Sequence, residues 1–352
     1  TGWWWWRSSR VIEDLDLNGN HIEVIDEFPS FSYVLGDNHP HVLAMPFVLL
    51  VIGLALAIFW SRPANDSAHF RQRLRGLLPL GWGGLLLFSV AAGALIFLNT
   101  WDFPPYWLLL MLATFVAAWR TWPEGDSSRV GQAALAAVAV GGATLLGLLV
   151  IYLPYFLTAQ SQAGGFLPNL FHPTRLPQFL VMFGAQLLAL LVLLLLAWRA
   201  GRPIAAHLTF TAAIVIGLPA LFLAASAWVA VNTERGAVQL SRLALPEGAT
   251  AHLPFIIERW ITQPFTFLLV GLLLSVLLAL VGRRLTTGDA LDSGLVFTLL
   301  LAGIALLLVY APEFVYLRDN FGTRMNTIFK FYYQAWLLFG LSGAFALATA
   351  LG

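Results

Sequence analysis

The sequence predicts an all-α fold: a polytopic transmembrane helix bundle of about nine spans with extracytoplasmic loops. Three observations predict it. Hydrophobic residues make up 59% of the chain and charged residues 11%, far below the roughly 25% charge of soluble proteins, and the mean hydropathy is +0.79. Nine segments are long and charge-poor. Leu, Ala and Val fill those segments without the strict alternation that an outer-membrane barrel requires.

A helix rises 1.5 Å per residue, so about 20 apolar residues cross a ~30 Å hydrocarbon core. Segments 42–60, 77–98, 103–119, 130–158, 176–198, 203–231, 262–282, 292–311 and 326–351 approach or exceed that length, 103–119 being the shortest. Residues 1–41 then form a loop segment ahead of a single helical bundle, 42–352. The chain opens at Thr1 and stops at Gly352 inside an apolar run, which reads as a piece of a longer protein. Cysteine is absent, which excludes disulfide and thiolate chemistry.

Charge sets the expected orientation. If the spans alternate, one set of connections is short and basic: Arg62, Arg71, Arg73 and Arg75, then Arg120 and Arg129, Arg199 and Arg202, Arg283 and Arg284. These hold ten of the 19 Lys and Arg residues but five of the 18 acids. Cations concentrated in short loops mark the cytoplasmic side, so 1–41, 99–107, 160–175, 232–261 and 311–327 are expected outside a cytoplasmic membrane. Nearly every chemically capable side chain lies in that second set, and functional residues favour loops held by a rigid scaffold.

Each motif in those loops has two readings. "WWWWR" (3–7) suits an interfacial aromatic belt, or a stacking platform for a sugar or isoprenoid with Arg7 and Arg10 binding phosphate. "GDNHPH" (36–41) sets Asp37, His39 and His41 within five residues, with Pro40 keeping the backbone extended so that alternate side chains share a face. That pattern is a candidate for a divalent metal, a proton relay, or acid/base work by Asp37 or the nearby Glu27; the plain alternative is a turn in which Asp37 caps the next helix. "NTWDFPPYW" (99–107) places Asp102 where capping and catalysis explain it equally.

The last of these loops says more. A helix beginning near Thr323 puts Asn326, Lys330 and Gln334 at i, i+4 and i+8, a polar stripe entering an apolar span. A lysine at the centre of a span costs about 2.5–3.5 kcal/mol, less near an end. Such a stripe needs acids on neighbouring helices or an anionic ligand, and Arg318 and Arg324 add cations at the same level. Neither a Walker-type loop nor a dinucleotide fingerprint is present.

The blocks "WWWWRSSRVI", "EFPSFSYVLGDNHPHVLAMPF", "NTWDFPPYW", "YLPYF" and "RMNTIFKFYYQAWLL" occur in this order across nearly the whole chain. Together they resemble the YYY membrane protein family of Chloroflexi and archaea, a domain of unknown function grouped with the GT-C glycosyltransferases. The resemblance implies transfer of a sugar from a polyprenyl-phosphate-linked donor on the extracytoplasmic face. The family's tyrosine triplet and its first external loop, where GT-C enzymes carry a catalytic carboxylate, lie upstream of the block matching Trp3. On that reading Glu27, Asp37 and Asp102 are the catalytic candidates. Arg7, Arg10, Arg318, Arg324, Asn326, Lys330 and Gln334 would hold the donor phosphate, and His39 and His41 a metal. Expected partners are the bilayer, the sugar lipid and other membrane subunits, but no nucleic acid. The rival readings are a non-catalytic subunit of a larger membrane complex and a transporter; the spans show no internal repeat of the kind transporters carry.

Overall fold

The computed structural model describes residues 10–36, 38–62, 69–122, 129–160, 164–203, 205–240, 252–287 and 294–352. The chain begins with a short antiparallel hairpin, β1 (Glu13–Leu15) and β2 (His21–Glu23), with Asp14 opposite Ile22. Seven helices follow: α1 (Pro29–Leu35), α2 (Pro40–Phe59), α3 (Phe70–Leu77), α4 (Trp82–Asn99), α5 (Phe103–Thr121), α6 (Arg129–Ile151) and α7 (Leu153–Thr158). Strand β3 (Phe166–Pro168) precedes α8 (Leu176–Ala200), α9 (Ala205–Ala212), a π-turn (Ala213–Gly217), α10 (Leu218–Asn232), α11 (Glu234–Leu240) and α12 (Leu253–Thr262). Then come α13 (Phe265–Thr287), α14 (Gly294–Tyr310), strand β4 (Val315–Leu317), paired antiparallel with β3, and α15 (Met325–Leu351).

Among the described residues, eight helical stretches are long and apolar enough to cross a membrane. One of them, Trp82–Thr121, is 40 residues long, about 60 Å if straight and twice what a bilayer needs. It is α4 and α5 joined by a single 3₁₀ turn, Thr100–Asp102. Helix α2 has 20 residues, about 30 Å, yet packs along both halves, as does α6. Only a stretch folded back at 100–102 allows this, so the eight stretches supply the nine expected segments.

Local sequence sets the ends. Helices α2, α5, α8 and α12 each carry Pro in the first turn, where the missing amide costs no hydrogen bond. The expected 130–158 segment breaks at Tyr152, whose backbone leaves the helix just before Pro154, and residues 153–158 form the separate α7. Leu80 (φ 64°) and Gly81 (φ 57°) make the tight turn into α4.

The chain divides into two compact units. One comprises Ser32–Ser161 and Arg284–Ile304. Its core joins Ile58 of α2, Leu74 and Leu77 of α3, Phe88 of α4, Leu110 and Ala117 of α5, and Ala133 and Val140 of α6. Glycines let these helices close. Gly147 sits against Ser89, Gly93 receives the Tyr152 ring, and the Gly141 carbonyl accepts a bond from the Trp107 indole at 3.0 Å. Small residues at helix contacts are how packing is achieved where lipid is as apolar as the side chains.

The other unit comprises Thr1–Phe31, Gln162–Arg283 and Ala305–Gly352. Its centre is the α8–α15 pair, where Phe183 packs edge-on against Tyr332 (5.0 Å between ring centres) and Phe339 (5.8 Å), and Gly343 lies against Ala189. Over the starts of these helices sit the β1–β2 hairpin and the β3–β4 pair.

Candidate functional site

The polar head of this unit is built from segments far apart in sequence: the β1–β2 hairpin, the 164–175 segment and the 311–324 segment. Arg324 lies at its centre and is fully buried. The guanidinium donates Nη2 and Nε to the two Asp14 carboxylate oxygens at 2.6 and 2.9 Å, and Nη1 to Thr174 Oγ1 at 2.9 Å and Glu313 Oε1 at 3.4 Å. Thr174 completes the ring, its hydroxyl donating to Glu313 Oε1 and its amide to Oε2 at 3.0 Å. A forked guanidinium against a carboxylate is the geometry in which such a pair offsets the cost of leaving water. Burial opposes the charge on Arg324, but Asp14 and Glu313 outweigh it and raise its pKa.

More basic and amide groups tie the hairpin down. Arg175 donates to the Glu13 carbonyl at 2.9 Å, Gln178 accepts from the Glu13 amide at 3.4 Å, and Arg259 donates to the Asp16 carbonyl at 2.9 Å. The turn holds itself: Asp16 Oδ1 accepts from the Asn18 and Asn20 amides at 2.8 and 2.7 Å, and the Asn20 side chain leads the causes that lower its pKa. Asn169 joins the other loops, its side-chain amide donating to the carbonyls of His172 and Pro312. His172 is half-buried nearby, and loss of solvent lowers its pKa against the pull of Asp14.

Beneath the hairpin, Arg10 bridges Glu23 at 3.0 Å and Glu27 at 3.1 Å, so Glu27 and Arg10 are brought together as an ion pair. The next residue back, Asp26, is fully buried and accepts the Ile12 amide at 3.1 Å through Oδ2; its Oδ1 has no hydrogen-bond partner among the described residues. Burial pushes its pKa up to about 8, against the opposing effects of the Ile12 amide and Arg10. Asp26, Asp14 and Glu313 were not singled out from sequence. Asp26 neighbours the candidate Glu27 and both are buried, but which of them meets the Ile12 amide and which meets Arg10 depends on where residues 10–12 pass.

The stripe falls on α15 as its spacing predicts, over the first three turns. Asn326 donates to Asp319 at 2.8 Å, and Thr327 accepts the Leu317 amide at 3.1 Å, fixing β4 to the helix start. Lys330 is half-buried with its ammonium 5.3 Å from the Phe329 ring, and Gln334 is buried. Arg318 is exposed at the end of β4, beside Gly164.

The remaining candidates belong to the other unit. His39 precedes α2, His41 is buried in its first turn, and the two rings stack with centres 5.2 Å apart. Asp102 is buried in the 3₁₀ turn, where it accepts from Asn99 at 2.9 Å and makes no capping bond to α5. Arg7 and Asp37 lie outside the described residues. Among the described residues no group of three or more His, Asp or Glu is placed to hold a metal ion.

The apolar helices and the charged head define a multi-pass helical membrane protein. The chain belongs to the family described as Uncharacterized membrane protein (DUF2298), whose model matches residues 1–339. Comparisons with curated proteins and with solved structures give no match.

Proposed function

We propose that the protein is an integral-membrane glycosyltransferase that moves a sugar from a polyprenyl-phosphate-linked donor to an acceptor hydroxyl at the extracytoplasmic face. The observation that carries the reading is the polar head itself: acids and cations from four distant segments gather over the starts of two apolar helices, with Arg318 exposed and Lys330 on the first turns of α15. An amphiphile with an anionic phosphate on a hydrocarbon tail needs that combination of cations beside apolar surface.

In this mechanism Lys330 and Arg318, with Asn326 and Gln334, hold the donor phosphate. A carboxylate takes the acceptor proton, with Glu27 the candidate in the same unit. The acceptor oxygen bonds to the anomeric carbon as the bond from that carbon to the phosphate oxygen breaks, and the electron pair leaves with polyprenyl phosphate. Cations stabilise that developing charge. Arg10 and Arg324 already face carboxylates, so they act by fixing the acid-bearing segments.

The test is incubation of the purified full-length protein with a radiolabelled polyprenyl-phosphate sugar and acceptor extracts. Transfer is expected, and Lys330→Met is expected to lower it about a hundredfold or more. No transfer to any acceptor would overturn the reading. One observation favours the rival of a non-catalytic subunit, the mutual satisfaction of Arg324, Asp14 and Glu313. Stoichiometric co-purification with other membrane proteins, together with unchanged phenotypes for Asp37→Asn and Lys330→Met, would select it.

A further inference from the structure

An apolar cavity of about 490 Å³ lies within the unit that carries the polar head, between α10 and α12. Its volume falls in the range of about 300–1,000 Å³ usual for ligand sites. Ala220, Ala224 and Ala227 form one wall, Ile256 and Trp260 the opposite one, and Leu170 closes one side. The three alanines of α10 leave room that a larger side chain at those positions would fill. Asn232, the polar side chain in the lining, spends its amide on the Trp228 carbonyl at 2.9 Å. Water needs two to four polar partners and finds few here.

We infer that this cavity binds one hydrocarbon chain of a membrane lipid, admitted from the bilayer alongside α10. Three features select that occupant. The span containing α10 faces outward: 17% of its most apolar stretch is buried, against 33% or more in each of the other seven. Helix α12 is amphipathic, with Leu253, Ile256, Ile257, Trp260 and Ile261 apolar and Glu258 and Arg259 polar, the pattern of a helix lying at a membrane surface. Its position is fixed on both faces, by Arg259 donating to the Asp16 carbonyl at 2.9 Å and by the Trp260 indole donating to the Leu170 carbonyl at 3.1 Å. The far wall therefore stays open when empty, and its lining gains contacts when a chain enters.

Helix α10 also starts from an irregular turn. The π-turn at Ala213–Gly217 releases the Val215 carbonyl, which accepts the Tyr310 hydroxyl at 3.0 Å, while Ile216 lies against Gly271. Such turns inside long helices mark places where a helix changes course. This one sits directly before the alanine wall.

The inference stands apart from the transfer reading, and one experiment separates them. The purified full-length protein in nanodiscs is photolabelled with two probes, a polyprenyl phosphate and a phosphatidylcholine, each with a diazirine on its chain, and adducts are mapped by mass spectrometry. Adducts are expected to concentrate in peptides spanning 220–232 and 253–261. In Ala224→Trp, which fills the space, they should fall about tenfold, a loss of about 1.4 kcal/mol in occupancy, while labelling of α8 stays unchanged as a control for folding. Ile256→Trp fills the same space from the other wall and should act alike if the first variant unfolds. Labelling by either probe supports the chain site. Preference for the polyprenyl phosphate identifies the occupant as the donor, and equal labelling identifies an ordinary lipid. Labelling spread evenly over all spans, or unchanged in both filled variants, overturns the inference. Chain labelling without sugar transfer would retain the cavity and remove the proposed activity.

Discussion

The polar head and the α4–α5–α6 seam solve the same problem with opposite chemistry. In the head, two two-stranded pairs with strands of three residues each have too little apolar surface to form a core, so one buried arginine and two buried acids join the segments. In the seam, glycines and alanines bring helices together around an apolar core. The difference teaches where each tactic works. Outside the hydrocarbon region forked ion pairs give geometry and specificity to chain that cannot bury enough. Inside it, where burial against lipid gains little, close contact does the work.

The comparison is broken most strongly at Arg324. Arg324→Met leaves Asp14 and Glu313 buried without compensation, and a loss of about 3–5 kcal/mol is expected in thermal unfolding in detergent. Adding Asp14→Asn and Glu313→Gln should recover part of it. A loss under about 1 kcal/mol would mean the head is held by something else.

Asp26 gives the next largest effect and carries a sign. Below about pH 4, the usual carboxylate value, Asp26 is protonated both folded and unfolded. Between there and its folded value of about 8 only the folded state keeps the proton. Its contribution is therefore complete at low pH and is lost progressively as pH rises across that window. Unfolding curves should show stability falling from pH 5 to about 8 and level beyond, and Asp26→Asn should flatten that slope. An Asp26→Asn protein with the wild-type slope refutes the assignment.

In the seam, Gly147→Val drives a side chain into Ser89. Overpacking of this kind costs about 1–3 kcal/mol, and salt should not alter the loss, whereas polar-head variants should respond to it where charge is exposed. The smallest effect is expected for Asn326→Ala, which removes a part-buried bond to Asp319 and should lower stability by about 1 kcal/mol.

What could be read from sequence follows the same divide. The spans were legible because hydropathy is a local property: 42–60 becomes Pro40–Phe59, 176–198 becomes Leu176–Ala200, and 326–351 becomes Met325–Leu351. The stripe of Asn326, Lys330 and Gln334 was legible for the same reason, since helical spacing fixes it. The partners in the head were not. Asp14 and Arg324 meet across 310 residues and no motif links them. Glu27 drew notice beside an aromatic-rich block, while the acid driven fully inside is Asp26, because the Ile12 amide reaches that residue.

That separation has a consequence for biosynthesis. At about 5–20 residues per second, a ribosome that has completed Asp14 needs roughly 15–60 s more to reach Arg324. Throughout that interval the nascent hairpin lacks the cation that locks it, although every span before α15 has already been made. Ribosome-bound chains stopped short of Arg324 should be cut by protease within 10–27, and chains extended past α15 should resist.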